Sequence, residues 1–230
     1  MNTIGTLGES SLHASLKKWY AQPGDQFEVA VDGAIIDIVR GDLLIEIQTR
    51  SLSSIKRKLT RLSDDHVVRL IYPIAREKWI ARMDKTGQTQ LSRRKSPKRG
   101  RIEDLFMELV NIAGLLKHPN LTLEVAFIRE EEVWSQAKTH RRMSRWRGGW
   151  ARQDRRLLDV VEQKVFATPC DYASLLPAGL PDSFTNHELS HALGRPRYLA
   201  ERMSYCLRQI GVLEVNGKRG RSLLFALKSC

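Results

Sequence analysis

The sequence predicts an α/β protein: a mixed sheet flanked by helices, followed by a small helical module closed by a hairpin. Three observations predict it. Residues 35–48, IIDIVRGDLLIEIQ, read as two strands joined at Gly41-Asp42, a pair that tolerates the positive φ of a tight turn. These strands are apolar at nearly every position rather than at alternate ones, the pattern of a sheet covered on both faces. A helical period follows at 51–62, then a further apolar strand, VVRLIY, at 67–72; that order implies a right-handed crossover to a parallel neighbour.

The 230 residues suit two modest domains or one large one. Formal net charge is +12, with Arg and Lys clustered, which favours a polyanionic partner. Nucleic acid comes before membrane, because no basic stretch carries a clean apolar helix face. No run of about 18 apolar residues and no basic-then-apolar leader is present, so a soluble, unexported, cytoplasmic chain is expected. Cys170, Cys206 and Cys230 lack ligand spacing, and an odd count in such a chain points to reduced thiols.

Leu7, Leu12, Leu16, Trp19 and Tyr20 recur at helical spacing, predicting a helix over 7–20. Glu9 falls on its buried side, either flanking the helix N-terminus or reaching the strand pair as a third carboxylate. His13, one turn on, reads as a packing residue. Strands are expected at 27–31, 34–40 and 43–49, the first turning through Asp32-Gly33. In the next helix Leu52, Ile55, Leu59 and Leu62 point inward; Lys56, Arg57, Lys58 and Arg61 point outward.

If Arg40 faces Leu43 across the turn, Asp37 faces Glu46 and Ile35 faces Gln48. Alternation then turns Asp37, Glu46 and Gln48 to one side. Directly opposed Cβ atoms are about 4.5–5.5 Å apart, where like charges repel, and half-buried carboxylates are costly without a cation. One acid could face solvent or pair with Arg40 or Arg50. Two acids meeting across the ladder favour a divalent ion, since Mg²⁺ takes one or two carboxylates plus waters.

Helix with Glu9, strand, strand with Asp37, strand with Glu46-Ile47-Gln48, helix, strand: this order over roughly 5–80 resembles the PD-(D/E)xK nuclease superfamily and its restriction-endonuclease-like core. The archaeal Holliday-junction resolvases are similar in also having the first-helix glutamate. The resemblance implies Mg²⁺-dependent hydrolysis of DNA phosphodiesters, with Mn²⁺ able to stand in. By position, Asp37 and Glu46 would hold the metal, the Ile47 carbonyl would complete its shell, and Glu9 would assist. It also implies dimerisation to cut both strands. Gln48 stands where the family's usual lysine does. An amide hydrogen-bonds but cannot take a proton, so the metal would lower the water's pKa largely by itself, and Arg50 or Lys56 could supply the missing charge. Lys56 and Arg57 also count among the DNA-facing residues.

Further on, IAREKWIAR extends the sheet. Residues 86–101, TGQTQLSRRKSPKRGR, read as a loop: a solvated excursion, or an arm tracking phosphates through Arg93, Arg94, Lys98 and Arg99. Residues 102–116 read as one amphipathic helix, and 121–128 as a buried strand interrupted by Glu124, which either approaches the acids or meets an arginine. Across 137–156, Arg145 and Arg147 are among the arginines interleaved with Trp146 and Trp150. The stretch reads as a connector, its Arg/Trp mixture serving either internal cation-π packing or a nucleic-acid surface. Residues 157–166 read as a helix.

Thr185 then caps NHELSHAL, Gly194-Arg195-Pro196 turns the chain, a longer helix follows, and VLEV, NGKRGR and LLFAL form a basic-tipped hairpin. Residues 183–228 resemble a winged helix-turn-helix. Such modules usually place the second helix in the major groove, here with Arg195, Arg197, Tyr198, Arg202 and Arg208, and with Lys218, Arg219 and Arg221 on the wing; some serve as protein-protein modules instead. His187-Glu188-Leu189-Ser190-His191 also satisfies the H-E-x-x-H zinc-peptidase signature. The expectation is thus a DNA endonuclease: a nuclease-like domain at 1–136, a basic connector at 137–156 and a winged-helix DNA-binding domain at 157–230. The alternatives are a catalytically silent DNA-binding or regulatory protein and, less favoured, the zinc peptidase.

Overall fold

The computed structural model describes residues 10–136 and 149–228. Strands β1 (Gln26–Val31), β2 (Ala34–Arg40) and β3 (Leu43–Ile47) form an antiparallel meander. Asp32 and Gly33 both take positive φ, as does Gly41, so the polar turn pairs set where the meander reverses. A 3₁₀ turn, Leu52–Ile55, leads into α2 (Lys56–Asp65), preceded in the chain by α1 (Ser11–Tyr20). Helix α2 crosses over to β4 (Val67–Met83), which runs parallel to β3. Strands β5 (Gln90–Lys95), β6 (Leu121–Gln136) and β7 (Trp150–Phe166) complete a mixed seven-stranded sheet of order β1-β2-β3-β4-β6-β7, with β5 also on β4. From Leu44 to Ile47 every residue of β3 is buried, which is why this strand is apolar on both faces.

The chain forms two compact units that interleave along the sequence: residues 1–25, 73–100 and 126–163 in one, and 26–72, 101–125 and 164–230 in the other. The expected domains ran end to end. In the second unit Leu52, Leu59 and Leu62 are wholly buried, as the helical period required. Each such leucine contributes about 1.5–3 kcal/mol by leaving water. The same unit carries the C-terminal elements: α4 (Pro169–Ala173), β8 (Ser183–Phe184), α5 (Asn186–Leu193), α6 (Arg197–Gln209), β9 (Leu213–Arg219) and β10 (Ser222–Leu227), with sheet order β8-β10-β9. Thr185 and Glu188 form the capping box of α5, and Gly194 ends it in the left-handed conformation. Leu199, Met203, Cys206 and Leu207 of α6 are buried, and Phe184 meets Phe225 across β8 and β10 at 6.3 Å.

Several expectations are corrected. Residues 157–166 are not a helix: they continue β7 from the stretch expected as a connector, so no break separates 156 from 157. Leu157, Leu158, Val161 and Val165 fit a helical period, but pairing with β6 prevails, helped by the β-branched valines. Residues 102–116 are not one helix but a 3₁₀ turn, a four-residue α3 (Phe106–Leu109) and another 3₁₀ turn at Ala113–Leu115. Val110, Asn111, Ile112 and Gly114 are all weak helix formers. The 86–101 stretch is not all loop, since β5 lies inside it. Helix α1 begins at Ser11, capped by Ser10, and its Trp19 is exposed rather than inward. Among the described residues no helix is long and apolar enough to cross a membrane.

Candidate functional site

The β2–β3 ladder pairs Arg40 with Leu43, Val39 with Leu44 and Ile38 with Ile45, the predicted register. The next pair would be Asp37 with Glu46. There the backbone ladder stops, and the Ile47 N–H donates instead to the Asp37 carboxylate, Oδ2, at 2.8 Å. A side chain has taken the place of a cross-strand carbonyl, which brings the Asp37 carboxylate beside the Glu46-Ile47 peptide.

Glu46 is buried, and the Lys58 ammonium lies 2.6 Å from its Oε2. Lys58 also donates to the Ile35 carbonyl, so one cation spans both acid-bearing strands. This corrects the expectation that Lys58 points to solvent, and with it the inference that a metal is required to let Glu46 be buried. Lys58 lies next to the inward Leu59 on α2, so its aliphatic stem runs along apolar surface while Nζ reaches the acid. Lys56 and Arg57 are exposed on the same helix.

Gln48 is engaged at both ends of its amide. Nε2 donates to Ser54 Oγ at 3.1 Å, and Oε1 accepts from Arg50 N at 2.9 Å. The amide therefore holds the 51–54 turn that leads into α2. Glu124 meets an arginine: Arg69 Nη1 is 3.5 Å away. Arg69 pairs with Ile45 in the parallel ladder, so alternation places it on the face opposite Glu46. Glu9, Arg145 and Arg147 lie outside the described residues. A cleft of about 390 Å³ lined by Asp42, Asp65 and His66 lies at the other end of β3, away from Glu46.

Of the expected DNA contacts, one in the turn before α6 and one on α6 are turned into the protein. Arg195 pairs with Asp104, and Arg202 donates to the Met107 carbonyl at 2.9 Å. Exposed on α6 are Arg197, which pairs with Glu201 at 2.9 Å, Tyr198, Tyr205 and Arg208. On the hairpin Lys218 and Arg221 are exposed, while Arg219 reaches Glu188 at 2.6 Å. Arg93 pairs with Glu131 at 2.7 Å; Arg94, Lys98 and Arg99 are exposed.

Glu188 bears on the peptidase alternative. Its carboxylate accepts from Thr185 N and Oγ1 and from Arg219, and these contacts, the Thr185 backbone first, pull its pKa down to about 2. A carboxylate so held is a poor base toward water. Cys206 is equally inert as a nucleophile, because burial pushes its thiol up to about 12.

Sequence reasoning missed a second set of acids. Glu130, Glu131 and Glu132 are consecutive and buried, and are met by Lys78, Arg152, Arg155 and Arg93. Burial raises the Glu132 carboxyl, but Lys78 and Arg152 together hold it below the ordinary value.

Residues 10–167 match the family model described as "Domain of unknown function (DUF8091)". The chain belongs to the DUF8091 family. Asp37, Glu46, Gln48 and Lys58 fall inside the DUF8091 match, whereas the elements from α4 onward lie beyond it. A protein of Treponema pallidum (strain Nichols), described as an uncharacterized protein, is 31% identical over 225 residues, which span 97% of this chain and 87% of that one. No solved structure matches.

Proposed function

We propose that this DUF8091 protein is a metal-dependent DNA endonuclease with a PD-(D/E)xK-type core and a C-terminal winged helix that grips the duplex. The observation that carries the reading is the break in the β2–β3 ladder. Asp37 reaches the Glu46-Ile47 peptide there, and Lys58 brings a cation to Glu46 from the following helix. The parallel β3–α2–β4 crossover around it supports the resemblance to that superfamily. The order α4-β8-α5-α6-β9-β10 with sheet order β8-β10-β9 supports the winged helix.

Two carboxylates and a backbone carbonyl fit Mg²⁺, or Mn²⁺ in its place, which take oxygen donors and keep waters. Asp37, Glu46 and the Ile47 carbonyl would hold the ion; when bound it would supply Lewis-acid stabilisation at the phosphate. The remaining work falls to side chains. Lys58 carries the positive charge that Gln48 lacks, and its ammonium can donate to a phosphate oxygen as charge builds there. Gln48 positions the turn before α2 and so helps set where Lys58 stands. Arg197, Tyr198 and Arg208 on the open arc of α6, with Lys218 and Arg221 on the hairpin, would hold the DNA.

Incubating the protein with plasmid and branched DNA, with Mg²⁺ or with EDTA, tests the reading. Cutting in Mg²⁺ alone is expected, and Asp37→Ala should abolish it while leaving DNA affinity intact; undiminished cutting by that variant would refute the site. A second reading, a DNA-binding protein that no longer cuts, is favoured by the amide of Gln48 being tied at both ends. Binding without nicking under every metal condition would select it.

A further inference from the structure

The hairpin formed by the end of β4 and β5 carries a charge imbalance that the proposed nuclease site and winged helix do not use. Between residues 76 and 99 nine Lys and Arg stand against two acids, Glu77 and Asp84. Both acids are already satisfied. Glu77 pairs with Lys95 at 2.9 Å, and that contact first holds its carboxyl below the ordinary range. Asp84 turns into the hairpin tip, where its carboxylate accepts from Thr86 Oγ1 at 2.7 Å and from the Gln88 and Thr89 N–H groups, again lowering its pKa.

Meanwhile Lys85, Arg94 and Lys98 are exposed and form no ion pair among the described residues. The register separates two faces. Trp79 pairs with Lys95 and Ala81 with Arg93, so one face has an indole flanked by Lys95 and Arg93, 5.0 and 5.4 Å from its ring. Both cations there are matched, by Glu77 and Glu131. Ile80 pairs with Arg94 and Arg82 with Ser92, so the other face sets Arg94 and Arg82 diagonally across the ladder. Arg82 is held over Trp150, 4.8 Å from the ring centroid. Like charges at such spacing repel unless an anion joins them.

We infer that the β4–β5 ribbon is a preformed phosphate-binding arm for double-stranded nucleic acid, contacting the backbone through Lys85, Arg94 and Lys98. Strand β5 lies on β4, which also pairs with β6, so these cations stand along the edge of a sheet, and contacts from such an edge to phosphate fix register without reading sequence. The inference rests on the nucleic-acid part of the reading above but not on cutting.

Duplex binding measured in EDTA over a range of salt tests it. Each phosphate contact contributes about 0.9 to the slope of log affinity against log salt. The triple variant Lys85→Gln/Arg94→Gln/Lys98→Gln should lose about 2.7 from that slope and on the order of 100-fold in affinity at 0.1 M salt. Arg94→Gln alone should lose about 0.9. A folded triple variant with an unchanged slope, judged against an unchanged melting temperature, overturns the arm. So does an unchanged slope with lost binding to phosphatidylserine vesicles, which would assign the ribbon to a lipid surface. Failure of the unaltered protein to bind duplex at all would instead remove the DNA-binding reading itself.

Discussion

Two clusters of buried acids on strands can be set side by side. Glu46 is met by a lysine on the helix that directly follows its own strand. Glu130 and Glu132 are met by cations drawn from β4 and β7: Arg155 places two N–H groups on Glu130 Oε2, at 2.9 and 2.6 Å, and Arg152 and Lys78 both reach Glu132 Oε1 at 2.9 Å. Trp134 Nε1 also donates to Glu132 Oε2 at 3.0 Å. A guanidinium is a rigid fork that stays charged at any physiological pH, whereas an ammonium is a single flexible point charge. The first cluster is held in a way that permits exchange of partners. The second binds three strands together. Burial of an acid is therefore a weak sign of chemistry by itself; the kind of cation facing it says more.

The sharpest way to break the comparison is Glu130→Leu. It strands Arg155 and Lys78 beside a vacated partner, and loss of one member of a buried pair costs about 3–5 kcal/mol. A urea midpoint lowered to that extent is expected, and a shift under about 1 kcal/mol would show the second cluster to be dispensable. Lys58→Met comes next. Glu46 then loses its ammonium, at a cost of about 1–3 kcal/mol, while cutting in Mg²⁺ falls by about 100-fold or more. A stability loss with undiminished cutting would make Lys58 a structural partner like those of Glu130. The smallest effect concerns an acid at the surface. Glu188 has a folded-state pKa of about 2 against an ordinary 4.5, so its contribution is complete above about pH 4.5 and fades as pH falls toward 2. Glu188→Gln should flatten the fall in melting temperature across that window, and an unchanged slope would remove the carboxylate from the cap.

Much of the candidate site was legible. The Gly41-Asp42 turn set the hairpin register from Arg40–Leu43 to Ile38–Ile45, and where it stops the Asp37 carboxylate lies on the Ile47 N–H. The elements at 183–228 were legible for the same reason: capping box, left-handed glycine and proline are signals read within a few residues. Lys58 was not legible, because a lysine beside an inward leucine looks solvated until the strand under the helix is known. Arg195 and Arg202 were misread likewise, since their partners Asp104 and Met107 lie some ninety residues away. The 157–166 stretch satisfied a helical period and yet pairs with β6.

The sequence by itself determined what depends on neighbours: the two turns that reverse the meander, the capped helices, the register that leads from Arg40–Leu43 toward Asp37 and Glu46, and the excess of positive charge. Only the tertiary structure decided which cation meets which acid, which arginines stay exposed, and whether an ambiguous apolar run becomes strand or helix. Local choices are governed by φ, ψ and hydrogen bonds inside a few residues. Charge pairing and strand addition depend on groups twelve to ninety-five residues distant, whose positions no short window contains.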